Sequence, residues 1–310
     1  MASQRRGVVG ERLFGTLVRI VGFAILALLL AYFLALLYES VPAIMRFGLS
    51  FVFGTVWDPL RGVFGALPMI YGSFVTSIIG LLLGVPVSIG VAVFISELSP
   101  IKLRGVLSFV IELLAAVPSV VYGLWALFVL APLLRQSAYP FLQRYLGFLP
   151  IFQGTIYGIG VLTAGIILAV MIIPIVASIS RDAMSAVPGS QREAAYALGM
   201  TRSEAIRTSV MGYARSGIIA SIFLGFGRAF GETMAVKMVI GDAPLISSSL
   251  FSPGYTLAAV IATEFNDATT SVFRDSLVEA GLILLVISFA SNVIARLLIR
   301  RFVKEGANLL

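Results

Sequence analysis

Arg228 and Glu232 stand four residues apart in the run Gly225-Phe226-Gly227-Arg228-Ala229-Phe230-Gly231-Glu232-Thr233, which lies within an apolar stretch. On a helix that spacing puts both charges on one face. An arginine at the centre of a membrane helix costs about 2.5–3.5 kcal/mol on insertion scales, so something must compensate for it. One reading is an anion pathway: the guanidinium offers forked hydrogen bonds to an oxyanion, and Glu232 keeps the attraction weak enough for release. The other is an internally neutralised pair that locks helices together, with Glu112 or Glu279 of other apolar runs as further partners. For Glu112 and Glu279 themselves, helix-to-helix pairing is the simpler expectation. Gly227 and Gly231 have small-xxx-small spacing, which permits a close neighbour or leaves space for a solute. The run lacks the spacing and the βαβ context of a dinucleotide fingerprint.

A second candidate is a polar segment, residues 180–215, between two apolar stretches. Pro188-Gly189 breaks the chain, and Ser190-Gln191-Arg192-Glu193 has the spacing of a capping box. A helix of about two turns is expected from there, ended by Gly199 as a left-handed terminator. Thr201-Arg202-Ser203-Glu204 then repeats the capping signature, so the segment reads helix, glycine elbow, helix. On the first helix Ala194, Ala195 and Leu198 share a face, a low-profile surface suited to a partner's groove. The same pattern also arises from good helix formers with no partner at all.

Other chemistries are excluded. Cysteine and histidine are absent, which removes disulfides, thiolate metal sites, cysteine nucleophiles and histidine-based triads. No phosphate-binding Gly-x-x-x-x-Gly-Lys-Ser/Thr exists, since none of Lys102, Lys237 and Lys304 follows a glycine. ATP hydrolysis, if used, belongs to a partner, and no cofactor or metal is expected in this chain. The basic residues are spread along the chain rather than gathered in a nucleic-acid patch.

The elements that must position these residues are membrane helices. The chain is 59% hydrophobic and only 12% charged, with a mean hydropathy of +1.03, against about 25% charged residues in soluble domains. Apolar runs suggest six spans at 16–38, 70–96, 107–133, 154–178, 213–240 and 275–298. The first is too long in its apolar core for a cleaved signal and reads as a retained span. Pro86, Pro118 and Pro174 fall inside predicted spans, where each removes a hydrogen bond and can kink the helix.

Charge sets the expected orientation. Arg5, Arg6, Arg12, Lys102, Arg104, Arg181, Arg192, Arg202, Arg207, Arg215, Arg296, Arg300, Arg301 and Lys304 fall on one side, against Arg46, Arg61, Arg135, Arg144 and Arg274 on the other. The positive-inside rule then places both termini and residues 180–215 in the cytoplasm. The expected organisation is an N-terminal tail, first span and extracytoplasmic loop over 1–69, a five-span core over 70–298 and a cytoplasmic tail over 299–310.

Glu193-Ala194-Ala195, three residues, then Gly199 resembles the EAA signature of permease subunits in bacterial ABC importers, although Ser209 and Met211-Gly212 replace its later apolar and Leu-Pro positions. The wider chain resembles the PstC-type family of phosphate importer permeases. The resemblance rests on Trp57-Asp58-Pro59, the stretch from Phe64 to Ser73, Ser96-Glu97-Leu98-Ser99-Pro100, Ala116-Val117-Pro118-Ser119-Val120-Val121-Tyr122-Gly123 and the run around Arg228. It implies an all-α integral membrane protein of about six transmembrane helices with a type I ABC importer permease fold. It implies alternating access in a bacterial cytoplasmic membrane, with Arg228 and Glu232 on the phosphate pathway and with Glu193, Ala194, Ala195, Leu198 and Gly199 coupling to an ATPase. The implied partners are a second permease of the PstA type, a PstB-type ATPase dimer that binds ATP and Mg, and an extracytoplasmic PstS-type phosphate-binding protein. The residues alone leave three rivals open: a permease for another oxyanion such as sulfate or molybdate, an ion-coupled secondary transporter with Arg228, Glu232 and Glu279 as a relay, and a non-transporting scaffold.

Overall fold

The computed structural model describes the backbone of residues 2–307 and the side chains of residues 14–297. The side chains of Arg5, Arg6, Arg12, Arg300, Arg301 and Lys304, which enter the charge count, lie outside the described residues, as does the end of the 299–310 tail. Helices α1 (Ala2–Phe47) and α2 (Leu49–Phe53) lead into an antiparallel hairpin, β1 (Trp57–Asp58) and β2 (Val63–Phe64), with Trp57 paired to Phe64. Helix α3 (Leu67–Val93) ends in a π-helical turn, Phe94–Leu98, and is followed by α4 (Ile101–Ala115). Next come α5 (Ser119–Trp125), α6 (Ala131–Leu133) and α7 (Tyr139–Leu146), joined by π-turns into one long helical stretch. Helix α8 (Val161–Ser185) precedes the short α9 (Gly189–Ala197). From α10 (Arg202–Ala205) the chain runs through a π-turn, Ile206–Val210, into α11 (Met211–Phe230). Then follow α12 (Met234–Ile240), α13 (Leu257–Glu264) and α14 (Ser271–Ala307).

Among the described residues six helices are long and apolar enough to cross a membrane: Phe14–Phe47, Leu67–Leu98, Ser119–Leu146, Val161–Ser185, Arg202–Phe230 and Ser271–Leu297. The count matches expectation, and three boundaries differ for physical reasons. The third run is broken at Ala116-Val117-Pro118, where proline removes a donor and disfavours helix before it. Tyr122 Oη donates to the Leu114 carbonyl at 2.8 Å across the break, satisfying one acceptor near the end of α4. Glu112 therefore lies on α4, before the break. The fourth span starts late because Gly154, Gly158 and Gly160 adopt positive φ in the preceding loop. The fifth helix stops at Phe230, well short of 240. Pro86 and Pro174, by contrast, sit inside uninterrupted α3 and α8.

Helix α8 is the axis of the molecule. In its most apolar window 67% of residues are buried, against 0% for the first span, which is therefore peripheral. Ile167, Leu168, Met171, Ile172 and Val176 of α8 pack with Ala229 of α11 and with Ala235, Val236 and Val239 of α12. Helix α3 comes close to α8 because Gly80 and Gly84 leave no side chain between them. A Cβ at Gly84 would lie 2.8 Å from Ile172 Cγ1 and one at Gly80 would lie 3.0 Å from Leu168 Cβ. A second cluster gathers Phe51, Trp57, Phe64, Met69, Tyr255 and Phe273 around the hairpin, with Trp57 and Phe64 edge-to-face at 4.9 Å.

Candidate functional site

Arg228 occupies the last turn of α11, and Glu232 lies beyond the end of that helix, in the break between α11 and α12. The expected position in the middle of one helix is corrected accordingly. Gly231 ends α11, and the break lets the carboxylate turn to the amides of the next helix. Glu232 Oε1 accepts from the Ala235 N–H at 3.3 Å, and no ion pair joins it to Arg228. Internal neutralisation is thus not what the structure shows. Arg228 is exposed and, among the described residues, has no hydrogen bond or ion pair, while its charge reaches the Tyr122 hydroxyl. A cation in the last turn of a helix is favoured by the helix dipole, a compensation that leaves its five donors free.

The two helix breaks lie side by side. Helix α5, which starts just after Pro118, packs on α12, which starts just after Thr233, and a Cβ at Gly123 would meet Met238 Sδ at 2.6 Å and Ala235 Cα at 3.0 Å. Backbone irregularity at membrane depth is tolerated where it lines a cavity or is buried in protein. Gly227 has open space where a side chain would be, so the Gly227 and Gly231 stripe does not bring in a helix of this chain. The stripe that does so is Gly217, Ser221 and Gly225, which meets Ala183, Ser180 and Val176 of α8. Sequence reasoning missed it because the serine at its centre hides the four-residue repeat.

The other charges behave differently. Glu112 pairs with Arg181 of α8 at 3.3 Å, as expected of a helix-to-helix contact. Glu279 is buried in α14 at 4% exposure, and its Oε2 has no hydrogen-bond partner.

The polar segment is narrower than 180–215. Ser180 is buried within α8 and bonds Ser221 at 2.8 Å, and Arg215 lies within α11. What projects is α9 and its elbow. Helix α9 begins at Gly189 with Pro188 as cap residue and no side-chain capping bond, which corrects the Ser190 capping box. Pro188 sets the start so early that Ser190 is already inside the first turn. The Thr201 and Glu204 box forms in full, with Thr201 N–H donating to Glu204 Oε2 at 2.7 Å. Gly199 has φ +78°, the left-handed turn expected of it, and the Met200 N–H reaches back to the Ala195 carbonyl at 3.2 Å.

Ala195 is 2% exposed and faces the chain itself, so the shared face of Ala194, Ala195 and Leu198 divides. The free surface of α9 and its cap includes Glu193, Ala194, Tyr196, Ala197 and Leu198, the last 78% exposed. Arg192 turns inward, and its Nε and Nη2 grip both oxygens of Glu97 at 3.2 and 2.7 Å. The Glu97 hydrogen bonds hold this guanidinium above its ordinary pKa. From sequence, Tyr122 and Glu97 stand only within family-like stretches and Arg192 only as a loop charge beside a capping box, and none is given a part in the site. Glu97 did carry a local signal, a charge at the end of an apolar run just before Ser99-Pro100.

The family model of the binding-protein-dependent transport system inner membrane component matches residues 84–304. The phosphate transport system permease protein PstC of Xylella fastidiosa is 44% identical over 292 residues, covering 93% of this chain and 90% of that protein. Its counterparts in Mesorhizobium japonicum and Haemophilus influenzae are 42% and 41% identical, covering 97% and 94% of this chain and 93% of each relative. Among solved structures, a chain of the inward-facing MetNI methionine ABC transporter aligns with a TM-score of 0.52 at 16% identity, over 78% of this chain and 95% of that one. The likeness to MetNI is one of fold.

Proposed function

Because the chain belongs to the PstC family of binding-protein-dependent inner membrane permeases, we propose that its unpartnered Arg228 is the station at which phosphate passes through the membrane. The chain is the permease subunit of a phosphate ABC importer, a multi-pass membrane protein with the all-α type I fold. The observation that carries the station is a guanidinium with five free donors beside two helix breaks and an open glycine surface. A phosphate oxyanion matches that fork, and a bond to one exposed cation is weak enough to be left again. Glu232, held by the amide of Ala235, lies close enough in sequence to retake the guanidinium after release.

The chain has no phosphate-binding loop of its own, so the energy comes from elsewhere. A PstB-type ATPase dimer, binding ATP and Mg, receives α9 through Glu193, Ala194 and Leu198, with Ala195 packed behind them and Gly199 setting the elbow. A PstA-type permease completes the pathway, and a PstS-type binding protein delivers phosphate on the extracytoplasmic side. In this reading both termini and α9 are cytoplasmic, the orientation favoured by the charge distribution of the loops. Residues 1–69 form the tail, first span and outer loop, 70–298 the core, and 299–310 the inner tail.

ATP-dependent uptake of labelled phosphate in vesicles holding the complete importer tests this reading. Arg228→Ala is expected to reduce uptake by at least tenfold at unchanged assembly, with Arg228→Lys retaining a part of it. Normal uptake by Arg228→Ala removes the station, inhibition by excess sulfate or molybdate reassigns the anion, and uptake by this chain without ATP makes it a secondary transporter.

A further inference from the structure

Two arginines on either side of the α9 elbow converge on a single residue at the foot of α3. Arg192, in the first turns of α9, donates from Nε and Nη2 to the two carboxylate oxygens of Glu97. The same guanidinium also donates from Nη2 to the Met184 carbonyl in the last turn of α8 at 3.0 Å, and from Nη1 to the Val187 carbonyl in the link beyond it at 2.6 Å. Arg202, at the start of α10, donates to the backbone carbonyl of Glu97. The Glu97 side chain is 10% exposed and that of Arg192 24%, so the pair is largely withdrawn from water. A forked pair in such a setting has fixed geometry as well as attraction. Glu97 itself lies in the π-helical turn Phe94–Leu98, an irregular turn of the kind found where a helix is re-aimed.

Apart from this junction α9 is held by its backbone link to α8, by its buried Ala195 and by contact with the Ile206–Val210 turn. The link is Ala186-Val187-Pro188, and Pro188 is extended, with φ −57° and ψ 142°. Such a link bends, and a force on α9 would be absorbed in it. With the junction, displacement of α9 is imposed on the feet of α3 and α8 together, and those two helices are already locked by the Gly80 and Gly84 contacts. We propose that Glu97 and Arg192, with Arg202 as a second strut, are positioning residues that convert movement of the ATPase-docking helix into movement of α3 and α8. The proposal rests on the phosphate-importer reading and extends it to how the energy is transmitted.

The test is the number of phosphates transported per ATP hydrolysed by the complete importer in proteoliposomes. Glu97→Gln and Arg192→Gln are expected to leave ATP hydrolysis within about twofold and to lower that ratio by about tenfold, the effect of losing roughly 1.4 kcal/mol of coupling. Should Arg192→Gln not assemble, Arg192→Lys keeps the charge, loses the fork and carries the same test. The chain contains no cysteine, so Glu97→Cys with Arg192→Cys can be bridged by a short bis-maleimide. Bridging is expected to restore the ratio. An unchanged ratio in the single variants, or a parallel fall of hydrolysis and uptake that bridging does not repair, overturns the transmission role. Absence of ATP-driven phosphate uptake by the unsubstituted complex would instead remove the functional reading on which it stands.

Discussion

Glu264 shows how one residue ties the hairpin to the helices. Its Oε2 accepts from Trp57 Nε1 at 2.8 Å, and Trp57 in turn sits in the aromatic cluster with Phe51, Phe64 and Phe273. Burial pushes the Glu264 carboxyl above its ordinary pKa, and hydrogen bonds from Trp57 and Tyr255 offset part of the rise. A carboxyl raised on folding contributes its stability in full below the unfolded value and loses it as pH climbs through the folded value. Glu264→Gln, which keeps an acceptor for Trp57, is therefore expected to stabilise the protein at about pH 7 and to bring no gain at about pH 4. Trp57→Phe leaves the carboxylate short of a donor and is expected to cost about 1.5–3 kcal/mol at neutral pH. Thermal unfolding of the purified complex at the two pH values measures both; equal destabilisation by Glu264→Gln at each would show that burial does not control this group.

At the scale of elements, the α9 elbow separates backbone geometry from surface chemistry. Gly199 has φ +78°, and an added Cβ would meet nothing within 4 Å, so a substitution there strains the backbone without a clash. For an ordinary L-residue the left-handed conformation costs about 1–2 kcal/mol, and asparagine tolerates it better. Gly199→Ala is expected to weaken retention of the ATPase subunit on the order of tenfold, and Gly199→Asn much less. Co-purification against salt or detergent reads this, and equal loss in both variants would place the requirement in the surface of the elbow. The elbow was legible in sequence because a glycine terminator and the Thr201 and Glu204 box are local: every atom involved lies within a few residues. The Ser190 box was illegible because the competing signal, Pro188, starts the helix earlier, and local capping rules do not rank the two. Breaks followed the same division. Pro86, Pro118 and Pro174 each remove a donor, but only Pro118 stands at a break between helices, where α5 packs on α12, so proline by itself does not tell which span is interrupted. The pairing of Glu97 with Arg192 spans 95 residues and has no local signature.

At the scale of the whole molecule, Arg228 is an exposed charge at the end of a membrane-length helix that, among the described residues, no ion pair or hydrogen bond neutralises. Large apolar side chains are exposed along α1, α4 and α11, as they must be in a chain surrounded by lipid or by another membrane subunit. Exposed apolar residues can face lipid at no cost, but an exposed guanidinium cannot. Leu224, one turn before Arg228 on α11, is 54% exposed, and Gly227 beside it has open space. This strip is therefore expected to border water or a polar surface once the second permease is in place, whereas the wholly apolar residues 20–30 of α1 are expected to border lipid. The absence of cysteine makes the distinction measurable, because a single introduced thiol is the only one in the chain. Leu224→Cys and Gly227→Cys are expected to react with a small charged thiol reagent in the assembled importer, and phosphate with ATP is expected to slow that reaction. Leu26→Cys on α1, with 62% exposure at the original leucine, is expected to stay unlabelled because the charged reagent does not enter lipid. Labelling of Leu26→Cys as fast as Leu224→Cys would mean that the α11 strip is no wetter than the lipid-facing surface, and Arg228 would then need a protein partner rather than a pathway.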